Sequence, residues 1–361
     1  MKVALIHDWL TGMRGGEKVL EALCEVYPGA DIFTLLWIKG SVSETIEKHN
    51  IKTSFLQAFP GVEKKYRYYL PLMPTAIESF KLSGYDLVIS SSHCVAKGVK
   101  KGNNALHFCY CHAPMRYIWD QYEEYFNSKR AGILARVAMK IARPYLQKWD
   151  VASSNGVDYF ISNSKHIKEK IARIYGRDAD VIYPPVDTSG YPPASDGGYF
   201  LMVSALVPYK RVDIAIEAFN ILGYQLKIIG KGPDMERLKT MAKPNIEFLG
   251  WQSGDEIKKH YSACRAFIFP QEEDFGITAV EAQAAGKPVI AFGKGGALET
   301  IIEGKTGVFF KSPEPGALAE AVKRFARSGF RNEDAVANAS KFSLERFKTE
   351  IARYIDTRST R

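Results

Sequence analysis

The sequence has 361 residues, of which 46% are hydrophobic and 25% are charged, and its formal net charge is +9. At about 150 residues per domain this length predicts two domains, and the composition excludes a disordered or fibrous chain. The longest apolar runs fall far short of the about 18 residues that a membrane span requires, and the N-terminus lacks the apolar stretch of a signal peptide.

The first half of the chain alternates short apolar runs with stretches of helical periodicity. A strand is predicted at residues 2–6 and a helix at residues 16–27. Further strands are predicted at residues 85–90, 105–111, 158–163 and 181–183. Short strands that alternate with helices predict a parallel sheet with helices on its faces.

A segment rich in proline and glycine, residues 184–198, separates this pattern from a second one of the same kind. Strands of the second pattern are predicted at residues 199–203, 225–229, 246–249, 266–270 and 288–291. Its helices are predicted at residues 213–222 and 278–285, and from Pro233, Gly254 and Gly296 onward. An amphipathic helix is predicted to start at Ser343, with Leu344, Phe347 and Ile351 at helical spacing.

The predicted organisation is therefore a first domain at residues 1–187, a linker at 188–198, a second domain at 199–342 and a C-terminal helix at 343–361. Both domains are expected to be doubly wound α/β folds. Ligands of such sheets bind beyond the carboxyl ends of the strands.

Cysteine usage indicates a reducing compartment, because the five cysteines form an odd and scattered set. They are Cys24, Cys94, Cys109, Cys111 and Cys264. Cys109 and Cys111 lie just before His112, but without a second ligand pair this spacing does not predict a zinc site. We therefore expect a cytoplasmic protein.

Basic residues cluster in the first half of the chain. Between Tyr125 and Trp149 there are six basic residues and no acidic one: Lys129, Arg130, Arg136, Lys140, Arg143 and Lys148. Such a patch is either a solvated helix face or a surface that attracts anionic lipid, phosphorylated ligands or nucleic acid. Apolar residues between these charges favour a helix on an anionic lipid surface, with an interruption expected at Pro144.

The most informative motif joins the predicted strand at residues 266–270 to the predicted helix at 278–285. Gly276 allows the backbone to approach a diphosphate, and the first helical turn offers unpaired N–H groups to an anion. Glu281 is placed to accept the hydroxyls of a ribose, and Glu273 lies nearer the sugar end of a bound sugar nucleotide. The flanking Phe-Gly and Ala-Ala-Gly-Lys-Pro sequences make this pair more specific than two surface glutamates.

This Glu-x(7)-Glu element resembles the signature of the retaining glycosyltransferases of family 4, which have the GT-B fold. Residues 11–18 resemble that family's glycine loop, residues 109–119 its histidine loop and residues 206–213 its phosphate loop. Residues 230–234 and 248–251 are similar to its donor loop and base-side strand. The sequence motifs GGEKV, CHAPMRYIWD and VPYKRVD are most similar to those of bacterial O-antigen and capsule mannosyltransferases that use GDP-mannose.

The resemblance implies two facing Rossmann-like domains, a C-terminal helix that crosses back to the first domain, and a role for each motif residue. Lys210 would hold the leaving diphosphate, Glu273 would lie by the sugar, and His112 would donate to a sugar hydroxyl. The expected donor-binding residues are Gly15, Gly16, Arg211, Gly232, Trp251, Phe275, Gly276, Ile277, Thr278 and Glu281. The expected acceptor-binding residues are His93, Lys97 and Arg116.

One position departs from the family pattern. Ala205 stands five residues before Lys210, where the family commonly has an arginine. Arg211, where the family more often has glycine, is a candidate to replace the missing charge.

No metal and no cofactor besides the nucleotide-sugar substrate are expected. Lys210, Arg211 and the helix amides can carry the charge of the leaving group. The Asp-x-Asp sequence at Asp178 and Asp180 is predicted to lie in a surface loop rather than to hold a metal ion.

The sequence thus predicts a retaining transferase that moves a hexose, mannose from GDP-mannose, to a saccharide acceptor. The acceptor is expected to be lipid-linked, and the enzyme peripheral on the cytoplasmic face of the membrane, in polysaccharide or lipopolysaccharide synthesis. One alternative is a UDP-sugar donor. Another is a basic membrane-binding or nucleic-acid-binding protein without catalysis. That alternative does not explain the phosphate-binding loops in both halves, and we expect no nucleic acid partner.

Overall fold

The structure is a computed structural model and describes residues 1–120, 122 and 132–359. The chain divides into two compact units, residues 1–185 together with 347–361, and residues 186–346. No helix within the described part of the chain has both the length and the apolar composition that crossing a bilayer requires.

The first unit is built on a parallel sheet in the order β3-β2-β1-β4-β5-β6-β7. Its strands are β1 (Val3–His7), β2 (Asp31–Thr34), β3 (Asn50–Thr53), β4 (Leu87–Ser92), β5 (Leu106–Cys111), β6 (Tyr159–Ser162) and β7 (Ala179–Val181). Its helices are α1 (Gly15–Val26), α2 (Glu44–Glu47), α3 (Val62–Lys65), α4 (Met73–Glu78), α5 (Ile133–Ser153) and α6 (Lys165–Tyr175). All five residues of β1 are buried, as expected for a central strand with helices on both faces.

The second unit has a parallel sheet in the order β10-β9-β8-β11-β12-β13. Its strands are β8 (Phe200–Val203), β9 (Leu226–Ile229), β10 (Ile246–Gly250), β11 (Phe267–Phe269), β12 (Val289–Phe292) and β13 (Gly307–Phe310). Its helices are α7 (Val212–Leu222), α8 (Met235–Met241), α9 (Gly254–Ala263), α10 (Ile277–Ala284), α11 (Ala297–Thr300), α12 (Pro315–Ala326) and α13 (Asn332–Ala339). The predicted pair of doubly wound parallel α/β domains is confirmed.

Each sheet reverses its direction of winding once, and this point decides where a ligand can bind. In the first unit the reversal lies between β1 and β4, and in the second between β8 and β11. The loops that leave two such strands diverge to opposite faces of the sheet, which opens a crevice at their carboxyl ends.

The last helix, α14 (Leu344–Ser359), packs onto the first unit from Phe347 onward. Phe347, Ile351 and Ile355 are completely buried, because their spacing of four residues places them on one face of the helix. Asp180, which we expected in a surface loop, lies in β7 and accepts a hydrogen bond from Tyr354 Oη at 2.7 Å.

Helix α5 corrects one prediction, because it continues without interruption through Pro144. A proline inside a helix removes one backbone hydrogen bond and costs about 3 kcal/mol. Met139 and Leu146 are buried on the inner side of the same helix, and the burial of their apolar surface offsets that cost. Lys129 and Arg130, which the prediction included in this basic segment, lie outside the described residues.

Candidate active site

A buried carboxylate connects the carboxyl ends of β1 and β4 through hydrogen bonds. Asp8 directly follows β1 and is fully buried, and its oxygens accept the N–H groups of residues 93–96 at 2.6–3.0 Å. Burial by itself raises the pKa of Asp8, but the electrostatic attraction of His93 and the hydrogen bonds from His93 hold it well below its usual range. The carboxylate therefore fixes the turn after β4 against the end of β1.

A cluster of histidines lies at this edge of the first sheet. His7 ends β1, and His112 directly follows β5. Ser91 of β4 lies between them, with its Oγ 3.2 Å from His7 Nδ1 and 2.8 Å from His112 Nε2. His93 lies beside them, with its Nδ1 3.0 Å from Asp8 Oδ2.

The first turn of α1 lies against this cluster. A Cβ added to Gly16 would lie 3.4 Å from His7 Cε1 and 3.7 Å from His112 Nε2. Glu17 accepts the backbone N–H of Arg14 with Oε2 at 3.0 Å and faces His7 Nε2 with Oε1 at 3.8 Å. The residues of the predicted glycine loop thus place a helix N-terminus beside the histidines.

The backbone of His112 is fixed by a hydrogen bond, and its ring is kept neutral. Its backbone carbonyl accepts a hydrogen bond from Asn163 Nδ2 at 3.0 Å. Burial lowers the pKa of His112 well below its ordinary value, and the positive charge of Arg116 lowers it further. Arg116, predicted to bind an acceptor, therefore lies close enough to act on His112.

Lys97 lies in the interior of the first unit, which corrects the prediction that it contacts an acceptor. Its side chain is 1% exposed, and its Nζ lies 2.8 Å from Asp150 Oδ1 and 2.7 Å from Ser153 Oγ. The rings of Trp149 and Tyr175 cover the ammonium. A lysine held in this way joins the turn after β4 to α5 and α6.

In the second unit the winding reverses between β8 and β11, and a lysine and a glutamate meet there. Lys210 lies in the loop after β8, and Glu273 in the loop after β11. Lys210 Nζ donates a hydrogen bond to Glu273 Oε1, and Gln271 Nε2 lies 3.4 Å from the same oxygen. Both side chains of the pair are only about a fifth exposed or less.

Two loops pack tightly beside this pair. A Cβ on Gly232 would lie 2.1 Å from the carbonyl oxygen of Leu206, so only glycine fits there. The N–H of Leu206 donates to the carbonyl of Lys231 at 3.0 Å. Ala205 is exposed in the first of these loops and offers no charge at the position where the family commonly has an arginine.

Arg211 follows Lys210 in a left-handed conformation, with a φ of 50°, which is rare for residues other than glycine. Its Nε and Nη2 lie 3.3 Å from the carboxylate oxygens of Asp213 in the first turn of α7. The guanidinium is therefore oriented by a neighbouring carboxylate.

Helix α10 begins directly after the Glu273 loop. Gly276 precedes it with a φ of 95°, a conformation that favours glycine, and a Cβ there would lie 3.0 Å from the Phe269 ring. Phe275 is buried and packs edge-on against Phe342, so its side chain points into the core. Ile277 and Thr278 form the first turn, whose N–H groups have no partners within the helix and can bind an anion.

Glu281 lies further along α10, with its Oε2 3.1 Å from the hydroxyl of Tyr261. Burial and the charge of Glu281 raise the pKa of Tyr261 well above its ordinary value, so the hydroxyl remains a donor. This bond orients the carboxylate. Trp251, predicted to lie near the base, is 68% exposed after β10.

Sequence reasoning missed Asp8, His7, Ser91 and Glu17. A signal was present: polar residues directly follow two of the predicted buried strands, in the sequences VALIHD and VISSSH. Carboxyl ends of neighbouring parallel strands meet at one edge of a sheet, which is where those side chains collect.

Two protein families match consecutive parts of the chain. Glycosyltransferase Family 4 matches residues 13–189, and Glycosyl transferases group 1 matches residues 189–342. Since the two matches together cover residues 13–342, the chain belongs to these glycosyltransferases and has the GT-B fold.

Individual relatives align with part of the chain. An uncharacterized glycosyltransferase of Methanocaldococcus jannaschii is 32% identical over 191 residues, 52% of this chain and 54% of that protein. A GDP-mannose-dependent alpha-(1-6)-phosphatidylinositol monomannoside mannosyltransferase of Mycobacterium tuberculosis is 28% identical over 217 residues, 51% of this chain and 55% of that protein. The chain thus spans about half the length of these relatives.

Solved structures share the fold over the whole chain. The Anabaena HepE protein in complex with UDP-glucose superposes with a TM-score of 0.71 and 18% identity, covering 99% of this chain and 100% of that one. At this identity the likeness shows the fold alone.

Proposed function

We propose that the protein is a retaining glycosyltransferase that moves a hexose from a nucleoside diphosphate to a saccharide acceptor. The observation that carries this proposal is the meeting of Lys210 and Glu273 where the second sheet reverses its winding, next to the N-terminus of α10. A cation, a helix N-terminus and two carboxylates in one crevice are the groups that a diphosphate, a ribose and a sugar require.

Each of these groups has a role in transfer. Lys210 and the first amides of α10 stabilise the charge that develops on the leaving diphosphate. Glu281, oriented by Tyr261, accepts the ribose hydroxyls, and Glu273 accepts hydroxyls of the sugar. The acceptor attacks from the face of the leaving group, and the departing phosphate takes its proton, which retains the anomeric configuration without a separate base.

Mannose from GDP-mannose is the donor that we propose. One support is the similarity of about half of this chain to the GDP-mannose-dependent mannosyltransferase of Mycobacterium tuberculosis. The other is the amino-acid sequence of the glycine, histidine and phosphate loops. A UDP-sugar is the alternative donor. A competition experiment that measures the binding of GDP and UDP to the same site distinguishes the two donors.

The acceptor that we propose is a lipid-linked saccharide in cell-surface polysaccharide synthesis, reached from the cytoplasmic face of the membrane. The support is the outer side of α5, where exposed Val137, Ile141 and Tyr145 recur every four residues. Exposed Arg136, Lys140 and Lys148 flank them, and no acidic residue occurs between 133 and 149. An apolar stripe bordered by cations suits an anionic lipid surface.

A second segment, which sequence reasoning missed, adds to this surface. Residues 66–72 pack against α5, and Lys64, Lys65 and Arg67 are exposed cations in and next to this segment. Tyr68 is 70% exposed and Leu72 is 42% exposed in the same segment. Aromatic and basic side chains side by side are typical of proteins that bind the interface of a bilayer.

A transfer assay tests the proposal. Purified protein is incubated with GDP-mannose and a lipid extract that contains undecaprenyl-linked saccharides, and mannosylated lipid is detected by mass spectrometry. We expect a new hexose in the α configuration, as NMR of the product would show, and none with Glu281→Ala. Hexose transfer from UDP-glucose but not from GDP-mannose would contradict the donor, and a β-linked product would contradict retention.

A further inference from the structure

Two serine–histidine pairs lie next to each other on β4 and β5. Ser90 Oγ is 2.8 Å from His107 Nε2, and Ser91 Oγ is 2.8 Å from His112 Nε2. Consecutive residues of a strand point to opposite faces of a sheet, so the two pairs lie on opposite faces. The His107 pair therefore provides an internal comparison for the His112 pair.

The tautomer of His107 follows from its second nitrogen. His107 Nδ1 lies 3.2 Å from the carbonyl oxygen of Gly156, and a carbonyl can only accept, so the proton lies on Nδ1. Burial lowers the pKa of His107 to about 4, so the ring is neutral and Nε2 carries no proton. Ser90 must then donate its hydroxyl proton to His107.

The chain of contacts that ends at His112 begins at Glu17. Burial raises the pKa of Glu17, but its interaction with His7 outweighs this and keeps the pKa below the ordinary value, so Glu17 is a carboxylate. A carboxylate 3.8 Å from His7 Nε2 favours the proton on that nitrogen. With its single ring proton on Nε2, His7 can accept the hydroxyl proton of Ser91 at Nδ1, over a distance of 3.2 Å.

Ser91 has one hydroxyl proton, and it is given to His7. Toward His112 the serine oxygen can therefore only accept, and the proton of His112 must lie on Nε2. Because His112 is neutral, its Nδ1 carries a lone pair.

We propose that Glu17, His7 and Ser91 are positioning residues that hold His112 as the Nε2–H tautomer, so that its Nδ1 accepts a hydrogen bond from a ligand hydroxyl. That the hydroxyl belongs to the transferred sugar rests on the proposed function, whereas the tautomer does not. This polarity is the reverse of the donor role that the sequence predicts for His112.

The charged groups around the chain of contacts come from four elements. Asp8 follows β1, Glu17 lies on α1, His93 follows β4 and Arg116 follows β5. A second proton on His7 would reverse every donor and acceptor in the chain of contacts, so a test must observe His7 together with His112.

NMR of protein labelled with ¹⁵N-histidine, recorded at pH 7.5 without nucleotide, reads the tautomers directly. The variants His7→Gln, His107→Gln and His112→Gln assign the signals. We expect His107 as the Nδ1–H tautomer and both His7 and His112 as Nε2–H in the same spectrum. A proton on His112 Nδ1, or a doubly protonated His7, would overturn the proposal.

Three serine variants test the chain of contacts itself. Ser91→Ala should shift His112 toward a mixture of tautomers, and Ser91→Thr, which keeps the hydroxyl, should restore the wild-type signal. Ser90→Ala is the matched control and should leave the His112 signal unchanged. An unchanged His112 tautomer in Ser91→Ala would overturn the proposal.

Kinetics then distinguish this proposal from the proposed function. Where the wild type transfers a hexose, Ser91→Ala should lower kcat at least about fivefold with little change in KM, and Ser91→Thr should recover it. A wild-type kcat in Ser91→Ala would overturn the role in transfer. If the wild type transfers nothing, the proposed function fails while the NMR result still decides the tautomer.

Discussion

Lys210 and Glu273 neutralise each other in the crevice of the second sheet, and their separate removal has different consequences. Lys210→Ala should lower kcat for transfer about 10²- to 10³-fold, because a positioned cation no longer stabilises the leaving diphosphate. Steady-state kinetics measure this. Lys239→Ala, at an exposed lysine that pairs with Glu236, is the control and should keep the wild-type rate. A wild-type kcat in Lys210→Ala would remove this lysine from the mechanism.

Glu273→Gln should have opposite effects on binding and on transfer. The substitution releases Lys210 from its carboxylate, so a nucleoside diphosphate should bind about two- to fivefold more tightly. Transfer should fall, because the sugar loses a carboxylate acceptor. Calorimetric titration with GDP measures the first effect, and Glu272→Gln, at a glutamate that pairs with Lys294, is the control. Weaker GDP binding in Glu273→Gln would contradict this account of the ion pair.

His107 predicts a pH dependence of stability. Its pKa is about 4 in the folded chain, against about 6.5 for an unfolded histidine. Between these values the unfolded chain binds the extra proton, so the free energy of unfolding falls as the pH falls, by about 3 kcal/mol for this residue.

His107→Asn removes that titration and keeps an N–H donor for the Gly156 carbonyl. Urea unfolding between pH 7.5 and 4.5 should therefore show a shallower fall in stability for the variant. Some slope should remain, because the pKa of His112 is lowered as well. Equal slopes in the two proteins would show that His107 takes up its proton without unfolding.

Among the elements, α5 carries the most direct test of membrane binding. Ile141 is 75% exposed at the centre of its apolar stripe, and Ile141→Glu adds a negative charge between cations. Sedimentation with vesicles that contain phosphatidylglycerol should show binding weakened at least about tenfold. Val336→Glu, at an exposed apolar residue of the second unit, should bind as the wild type does. Equal binding of the wild type and Ile141→Glu would show that this helix face does not contact lipid.

The helices and strands also show which parts of the fold can be predicted from the sequence. The strongly apolar strands β1, β4 and β5 were predicted to within about two residues, because buried strands form continuous apolar runs. Strands β2 and β3 were missed: each has four residues, and β3 is an edge strand with the mixed sequence NIKT. The continuity of α5 through Pro144 depends on contacts with the rest of the unit, which local sequence does not contain.

Across the whole molecule, the two halves of the site differ in how well the sequence predicts them. The residues around Lys210, Glu273 and Gly276 lie within short motifs, so a local pattern identifies them. Asp8 is hydrogen-bonded to a turn more than 80 residues away, and only the sheet topology brings the two together. Lys97 lies close to Lys100 and Lys101 in the sequence, and no local feature shows that it is buried in an ion pair with Asp150.

The central claim is that the second unit binds a nucleotide-sugar through Lys210 and α10, and calorimetric titration with GDP-mannose tests it most directly. We predict saturable binding of GDP-mannose and GDP to the wild type, weakened at least about tenfold in Glu281→Ala and absent or weaker with UDP-glucose. Binding of GDP-mannose with the same affinity to wild type and Glu281→Ala, or no binding of any nucleotide-sugar to the wild type, would contradict the account.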